Sequence, residues 1–334
     1  MDLSIVFVNY QTEALLLDCF HSIFEHTKEL EFECIVVDNH PIDGANRSIL
    51  EKFPDTKWIE SGGNVGFSKA NNIGLKEAQG DYVLFLNADT LLFDNAIEKA
   101  WKHLKSSANY VALGGIQVDN NKKKIPYYRT LNDIRRDLYI LPNRKIFHQL
   151  IDFFLPKEIF TENEETNNLV GAFLMAPKNI LIEIKGWDED FFMYAEDAEL
   201  SYRLSKKGTL VYFEDVQFIH LIQENPYRRT SFSWVNRFAM QIQVSNLLWI
   251  RKSYGALAFL IIYANYTILA PLFWIWKIGI ILINGKKWNQ ETKNQRIFSQ
   301  KLGILYRYFW PILWRKKGPY RIKAEENIDH HNKS

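Results

Sequence analysis

Six carboxylates fall between Asp188 and Glu199: Asp188, Glu189, Asp190, Glu196, Asp197 and Glu199. Phe191, Phe192 and Tyr194 are interleaved with them. Crowded carboxylates raise one another's pKa and oppose folding, so such a stretch reads as a site rather than as scaffold. Residues 195–206 are predicted to form a helix with Gly208 as its stop. Leu200 and Leu204 then share a face with Asp197 at i+3 and i+7. Asp197 falls at the inner edge of the positive helix end, which favours its ionised form. An ionised carboxylate at a crevice can take a proton from a substrate hydroxyl. For the pair Glu196 and Asp197 alone, helix capping explains as much; the six-member cluster favours catalysis.

Three further constellations carry chemistry. Asp89 follows the apolar run Tyr82–Leu86 in Asn87-Ala88-Asp89. A carboxylate there suits a divalent cation bridging two phosphates, since Mg2+ and Mn2+ prefer oxygen ligands and keep positions open for substrate. Alone, it reads equally as a cap for the helix expected from Asn95. His220 ends the segment Phe218-Ile219-His220 and by itself reads as a core or loop histidine; proximity to Asp89 would make it a ligand. Finally, Gly62, Gly63 and Gly66 permit tight backbone ahead of a helix that carries Lys69 and Asn71. The helix N-terminus offers N–H groups to phosphate. The alternative is an ordinary helix start capped by Asn64.

These side chains need elements to hold them. Leu3–Asn9, Phe32–Asp38 and Tyr82–Leu86 are continuous apolar runs that predict strands, with helices over residues 12–26, 67–79 and 95–106. The alternation predicts a doubly wound, mostly parallel α/β sheet covered on both faces. Ligands bind such sheets at the carboxyl ends of the strands, where Asn9-Tyr10, Asp38-Asn39 and Asn87-Ala88-Asp89 fall. Residues 167–176 and 211–220 predict further strand. Residues 120–166, with Lys122-Lys123-Lys124 and an acidic loop, read as a solvated surface segment or an acceptor-side insertion.

The chain's 41 Lys+Arg nearly balance its 39 Asp+Glu, but unevenly. Residues 1–250 hold 26 basic and 35 acidic side chains, net −9; residues 251–334 hold 15 and 4, net +11. An acidic front and a basic, aromatic tail predict a soluble domain attached to a polyanionic surface. A membrane face is favoured over nucleic acid because the basic residues flank apolar runs. Residues 254–284 carry one charge, Lys277. As a single helix they would reach roughly 46 Å at ~1.5 Å per residue, against a hydrocarbon core of about 30 Å. Pro271 is expected to divide the run, and Gly255, Asn265 and Gly279 to weaken it. Helices lying in the interface are therefore predicted, then a single tilted span; a soluble helical subdomain or a dimer interface is the alternative. The chain divides into 1–225, the α/β part, and 226–334, the helical membrane-associating part. Cys19 and Cys34 show no metal-ligand spacing and predict no disulfide framework, which favours a reducing compartment. The N-terminus enters a strand directly, with no signal-peptide pattern.

Five pieces occur in order: Ser4-Ile5-Val6-Phe7-Val8-Asn9-Tyr10; Val36-Val37-Asp38-Asn39; Asn64-Val65-Gly66-Phe67 through Asn71-Asn72-Ile73-Gly74; Leu86-Asn87-Ala88-Asp89-Thr90; and Gly186-Trp187-Asp188-Glu189 through Leu200, with His220 downstream. As an ordered set over about residues 3–221 they resemble a family 2 glycosyltransferase with the Rossmann-like GT-A fold, closest to the rhamnosyltransferase-like branch of bacterial surface-polysaccharide enzymes. The resemblance implies that Asp38 reads the pyrimidine of a dTDP- or UDP-sugar, with Asn9, Tyr10 and Thr12 nearby. It places Asn64, Gly66, Lys69, Asn71 and Asn87 in the donor site. Asp89 matches the metal-binding acid of the DxD motif, His220 a downstream ligand of Mg2+ or Mn2+, and Asp197 the catalytic base with Glu196 beside it. Two departures stand out: Asn87 replaces the first DxD acid, and Trp187 replaces a Phe near the acceptor. The Gln-x-x-Arg-Trp signature of processive synthases is absent, which implies single additions; the mechanism that the resemblance implies is one displacement, with inversion at the anomeric carbon. The implied acceptor is a polyprenyl-diphosphate-linked glycan at the cytoplasmic face of the bacterial inner membrane, reached by a peripheral or single-span tail. No nucleic-acid partner is implied, and a homodimer is compatible with the tail. A polyprenyl-phosphate glycosyl synthase, or an inert nucleotide-binding membrane scaffold, is the alternative.

Overall fold

A computed structural model describes residues 1–40, 44, 46–125, 130–139, 145–160, 164–221, 237–285, 292–318 and 320–321. Within them the chain runs β1 (Leu3–Asn9), α1 (Glu13–His26), β2 (Phe32–Asp38), α2 (Arg47–Lys52), β3 (Lys57–Glu60), α3 (Phe67–Glu77), β4 (Tyr82–Leu86), β5 (Thr90–Leu91), α4 (Ala96–Lys105) and β6 (Tyr110–Val118). It continues with α5 (Leu131–Asp137), α6 (Lys145–Phe154), β7 (Glu165–Thr166), β8 (Phe173–Pro177), α7 (Lys178–Glu183), α8 (Glu196–Leu204), β9 (Thr209–His220), α9 (Arg237–Ser253), α10 (Gly255–Asn284) and α11 (Lys293–Leu313).

The nine strands form one sheet ordered β3-β2-β1-β4-β8-β6-β9-β5, with β7 paired to β9. β3, β2, β1 and β4 are mutually parallel. β8 runs antiparallel between β4 and β6, and β9 is parallel to β6 but antiparallel to β5 and β7. The parallel half was legible because both its faces are covered, leaving unbroken apolar runs. Leu3, Ile5 and Phe7 of β1 pack with Leu16, Cys19, Phe20 and Ile23 of α1, whereas Val6 joins Phe85, Trp187, Leu200 and Leu204 on the other face. The mixed half was less legible. β6 carries Gly114-Gly115, which weaken a strand signal; a Cβ at Gly114 would lie 2.4 Å from the Tyr212 ring, so packing excludes anything larger.

Contacts divide the chain into two units. One is Met1–Leu131, Ile159–Phe192 and Glu196–Ser231; the other is Asn132–Glu158, Met193–Ala195 and Phe232–Ser334. The sequence division leaves Asn132–Glu158 with the α/β part, but this segment clusters with the C-terminal helices. Its helices α5 and α6 also replace the irregular surface segment expected there. Within the second unit the Tyr266 hydroxyl donates to the Leu138 carbonyl, Arg135 lies 3.7 Å over the Tyr254 ring, and Arg136 pairs with Asp152 at 2.7 Å. Ser245 Oγ donates to the Met193 carbonyl at 2.8 Å.

α10 runs unbroken through Pro271, and α11 contains Pro311. The expected division at Pro271 does not occur: proline removes one intrahelical bond, and flanking turns carry the helix past it. α10 is long and apolar enough to cross a membrane, by length and composition, and only 17% of its most apolar window is buried.

Candidate active site

Asn9 ends β1 fully buried, and its amide is used at both ends. Nδ2 donates to Asp38 Oδ1 at 3.2 Å and to Glu13 Oε1 at 2.9 Å, while Oδ1 accepts from the N–H and hydroxyl of Thr12 at 3.1 and 2.9 Å. One side chain thus ties β1 to β2 and fixes the turn into α1. Asp38 is buried and also accepts the His40 N–H at 3.0 Å. Burial lifts its carboxyl above the usual aspartate value, against the opposing pull of the His40 and Asn9 hydrogen bonds. Tyr10 meets the His40 ring edge-on at 5.4 Å, and Gln11 Nε2 lies 2.8 Å from His40 Nε2. His40 and Gln11 had no distinguishing sequence signal.

Asp89 and His220, 131 positions apart, are brought together by β5 and β9, where Thr90 pairs with His220. His220 Nε2 lies 3.1 Å from Asp89 Oδ1 and 3.4 Å from Asn87 Nδ2, and both members of the pair are buried. This pair fits an octahedral cation, because adjacent ligands at about 2.1 Å from such an ion lie about 3 Å apart. Rotating the Asn87 amide would present its oxygen to the same point. Among the described residues no group of three or more His, Cys, Asp or Glu gathers for a metal, so remaining positions would fall to substrate oxygens and water.

The start of α3 departs from the phosphate-loop expectation. Gly66 is the N-cap, with φ of 89°, and Asn64 Oδ1 accepts its N–H at 3.2 Å. The next N–H, of Phe67, donates to the Phe192 carbonyl at 2.8 Å and so is not offered to phosphate. A Cβ on Gly66 would stand 2.7 Å from that carbonyl oxygen. Asn39 Nδ2 reaches the Gly66 carbonyl at 3.2 Å, joining the end of β2 to this start. Asn71 donates back to the Phe67 carbonyl at 3.1 Å, and Lys69 is exposed. Among the described residues no hydrogen bond links either one to Asp38, Asp89 or Asp197.

Asn72, absent from the predicted set, positions the acidic segment. Its amide donates to the Trp187 carbonyl at 2.8 Å and Glu189 Oε1 at 3.0 Å, and accepts the Trp187 N–H at 2.8 Å. Its signal was a polar side chain on the inner face of a helix, which burial obliges to find partners. Trp187 is a core residue rather than an acceptor-facing one: its buried ring meets Phe67 and Phe85 edge-on at 5.5 and 5.1 Å.

The carboxylate cluster resolves into separate roles. Asp188 Oδ1 accepts the Asp190 N–H at 3.0 Å, closing a turn. Glu199 forms a fork with Arg203, at 2.6 to 2.9 Å, and Arg203 Nη1 donates to the Ile184 and Gly186 carbonyls at 2.7 Å each. Their i,i+4 spacing was visible in sequence. Glu196 and Asp197 remain. Asp197 is half-buried, Oδ1 accepts the Ala198 N–H at 2.9 Å, and the Gly171 backbone also bonds to it. Burial raises its pKa and outweighs those backbone donors, among them the helix-start N–H groups expected to favour the ionised form. Glu196 is buried with Oε2 lacking a partner, and burial, then the Asp197 charge, push it up to about 8. The hydrogen-bonded Asp197 is thus the easier of the two to ionise, and its charge holds the Glu196 carboxyl up.

Tyr194 and Ala195 precede this helix with φ of 70° and 60°. Left-handed backbone at two successive non-glycine residues costs on the order of 1–3 kcal/mol each and concentrates at functional sites. A line of contacts joins the parts: Asn39 to Gly66, Phe67 to Phe192, and Asn87 N–H to the Ala172 carbonyl at 3.0 Å, beside Gly171, whose Cβ position lies 3.8 Å from the Asp197 Cβ.

Poly(ribitol-phosphate) beta-N-acetylglucosaminyltransferase TarP of Staphylococcus aureus is 25% identical over 218 residues, 60% of this chain and 65% of that protein; the chain thus spans just under two thirds of it. The N-acetylglucosaminyl-diphospho-decaprenol L-rhamnosyltransferase of Mycobacterium tuberculosis is 24% identical over 226 residues, 61% of this chain and 71% of the relative. Rhamnosyltransferase WbbL of Escherichia coli is 25% identical over 228 residues, 65% and 80% of the two chains. Among solved structures, the mannosyltransferase PcManGT of Pyrobaculum calidifontis, in complex with GDP-Man and Mn2+, superposes with a TM-score of 0.52 at 16% identity, over 94% of this chain and 88% of that one. These structures share the GT-A fold. The family profile of Glycosyl transferase family 2 matches residues 4–180, more than half of the 334 residues, and the chain belongs to that family.

Proposed function

We propose that the chain is an inverting, divalent-cation-dependent glycosyltransferase. In this reading it transfers a hexosyl group, rhamnose among the candidates, from a dTDP- or UDP-sugar to a hydroxyl of a polyprenyl-diphosphate-linked glycan during bacterial surface-polysaccharide assembly. The observation that carries the reading is Asp197, a half-buried carboxylate held by backbone N–H groups beside the buried Glu196. Asp38, Asn9 and Tyr10 would bind the pyrimidine, and Asp197 would take the acceptor proton. The acceptor oxygen bonds to the anomeric carbon as the bond to the diphosphate breaks, and the nucleoside diphosphate leaves with the electron pair. Asp89 and His220, with Asn87 beside them, would hold Mg2+ or Mn2+, whose chemistry there is to offset charge on the leaving diphosphate. The rhamnosyltransferase relatives support the acceptor class.

The tail, 226–334, would attach the enzyme to the cytoplasmic face of the inner membrane, with α10 as the apolar element. Asp197→Asn should abolish nucleotide release in the presence of acceptor while leaving nucleotide-sugar binding intact. A panel of UDP-, dTDP- and GDP-sugars with Mn2+ identifies the donor. Unchanged turnover of Asp197→Asn would remove Asp197 from the mechanism.

A further inference from the structure

The connection between β6 and β7 holds a second apolar surface. α6 is Lys145-Ile146-Phe147-His148-Gln149-Leu150-Ile151-Asp152-Phe153-Phe154. At 100° per residue its six apolar side chains cover an arc of about 160°, and Lys145, His148, Gln149 and Asp152 share the opposite side. In a globular protein that arc would face a core. Here only Ile151 is buried; Ile146, Leu150, Phe153 and Phe154 are 69%, 56%, 79% and 67% exposed, and Phe147 is also exposed. Taking about 200 Å2 for each large side chain, these five leave on the order of 600 Å2 uncovered, the upper end of what a monomer leaves bare.

We infer that α6 is a membrane-docking helix, lying in the boundary between lipid headgroups and acyl chains as a contact separate from the C-terminal tail. This rests on the membrane reading of that tail. Three observations name lipid as the occupant. α6 belongs to the same compact unit as α10, whose apolar window is only 17% buried. The link is physical: Asp152 of α6 pairs with Arg136 of α5, and the neighbouring Arg135 stacks on Tyr254 at the start of α10. The unit carries 21 basic against 8 acidic residues, net +13, the sign that an anionic leaflet attracts. Exposed Trp310 and Trp314 precede Arg315, Lys316 and Lys317, an aromatic and basic set suited to headgroup depth. A helix with a broad apolar arc and a narrow polar one suits that boundary.

The two native cysteines, Cys19 and Cys34, are buried, so a label on an introduced thiol reports one site. Phe153→Cys in the full chain would carry an environment-sensitive fluorophore, and Ile275→Cys, at a 67% exposed position of α10, would serve as reference. Each is mixed with vesicles of phosphatidylglycerol and phosphatidylcholine, with and without nitroxide-labelled lipid. The inference expects fluorescence at position 153 to rise severalfold with vesicles and to fall by about half or more with the nitroxide, at a shallow label depth. Quenching at 275 but not at 153 overturns the inference and leaves the membrane reading standing. Quenching at neither position overturns both. A lipid-independent rise at 153 that grows with protein concentration overturns the inference in favour of a second copy of the chain.

Discussion

Glu196→Gln tests the electrostatics of the site without removing Asp197. Glu196 is buried, its Oε2 has no partner, and burial followed by the Asp197 charge lifts its pKa from 4.5 to about 8. The sign follows from linkage. Above about pH 4.5 the unfolded chain releases this proton while the folded chain keeps it, so stability falls as pH rises until about pH 8 and then levels. The loss over that window is on the order of a few kcal/mol, since each pH step separating the two pKa values is worth about 1.4 kcal/mol. Glutamine has nearly the same shape and never ionises. Urea unfolding followed by tryptophan fluorescence at pH 5, 7 and 9 should show the two proteins nearly matched at pH 5. By pH 9 the variant should be more stable by a few kcal/mol. Because Glu196 is neutral while Asp197 titrates, the acidic limb of the kcat profile should stay in place. Parallel stability curves from pH 5 to 9 would refute the reasoning and return Glu196 to an ordinary, solvated carboxylate.

Other consequences follow from single contacts. Gly66→Ala places a methyl 2.7 Å from the Phe192 carbonyl at a φ of 89°; it should cost about 2 kcal/mol or more, read as a lower urea midpoint. Asn72→Ala removes three hydrogen bonds to Trp187 and Glu189, worth about 3 kcal/mol together, and should lower kcat more than it raises KM for the donor. Asp89→Asn and His220→Ala should each weaken Mn2+ binding in the presence of nucleoside diphosphate by at least about tenfold, read by paramagnetic resonance of the free ion; unchanged binding would move the metal elsewhere. Asp197→Asn should lose transfer and keep donor binding, as nucleotide release and calorimetry would show.

The parallel half of the sheet was legible because its strands are buried on both faces and written as unbroken apolar runs between amphipathic helices. The three polar strand ends were legible for the same reason, since a buried strand that ends in Asn9, Asp38 or Asn87 must have partners or a ligand there. At the start of α3, Gly66 serves a close approach to Phe192 that no local pattern records. α6 escaped notice because its 10 residues give the helical period under about three turns in which to show.

What the sequence determined by itself was local: element type, the alternation that makes a covered sheet, and the identity of the carboxylates that could do chemistry. What tertiary structure decided was distance and surroundings. Asp89 meets His220 only because β5 pairs with β9 across 131 positions. Sequence spacing put Asp197 on the inner helix face, but how it and Glu196 ionise was decided by the fold: backbone donors reach one, and burial leaves an oxygen of the other without a partner. Ionisation responds to the solvent and dipoles around a group, and those are assembled from parts of the chain that are remote until it folds.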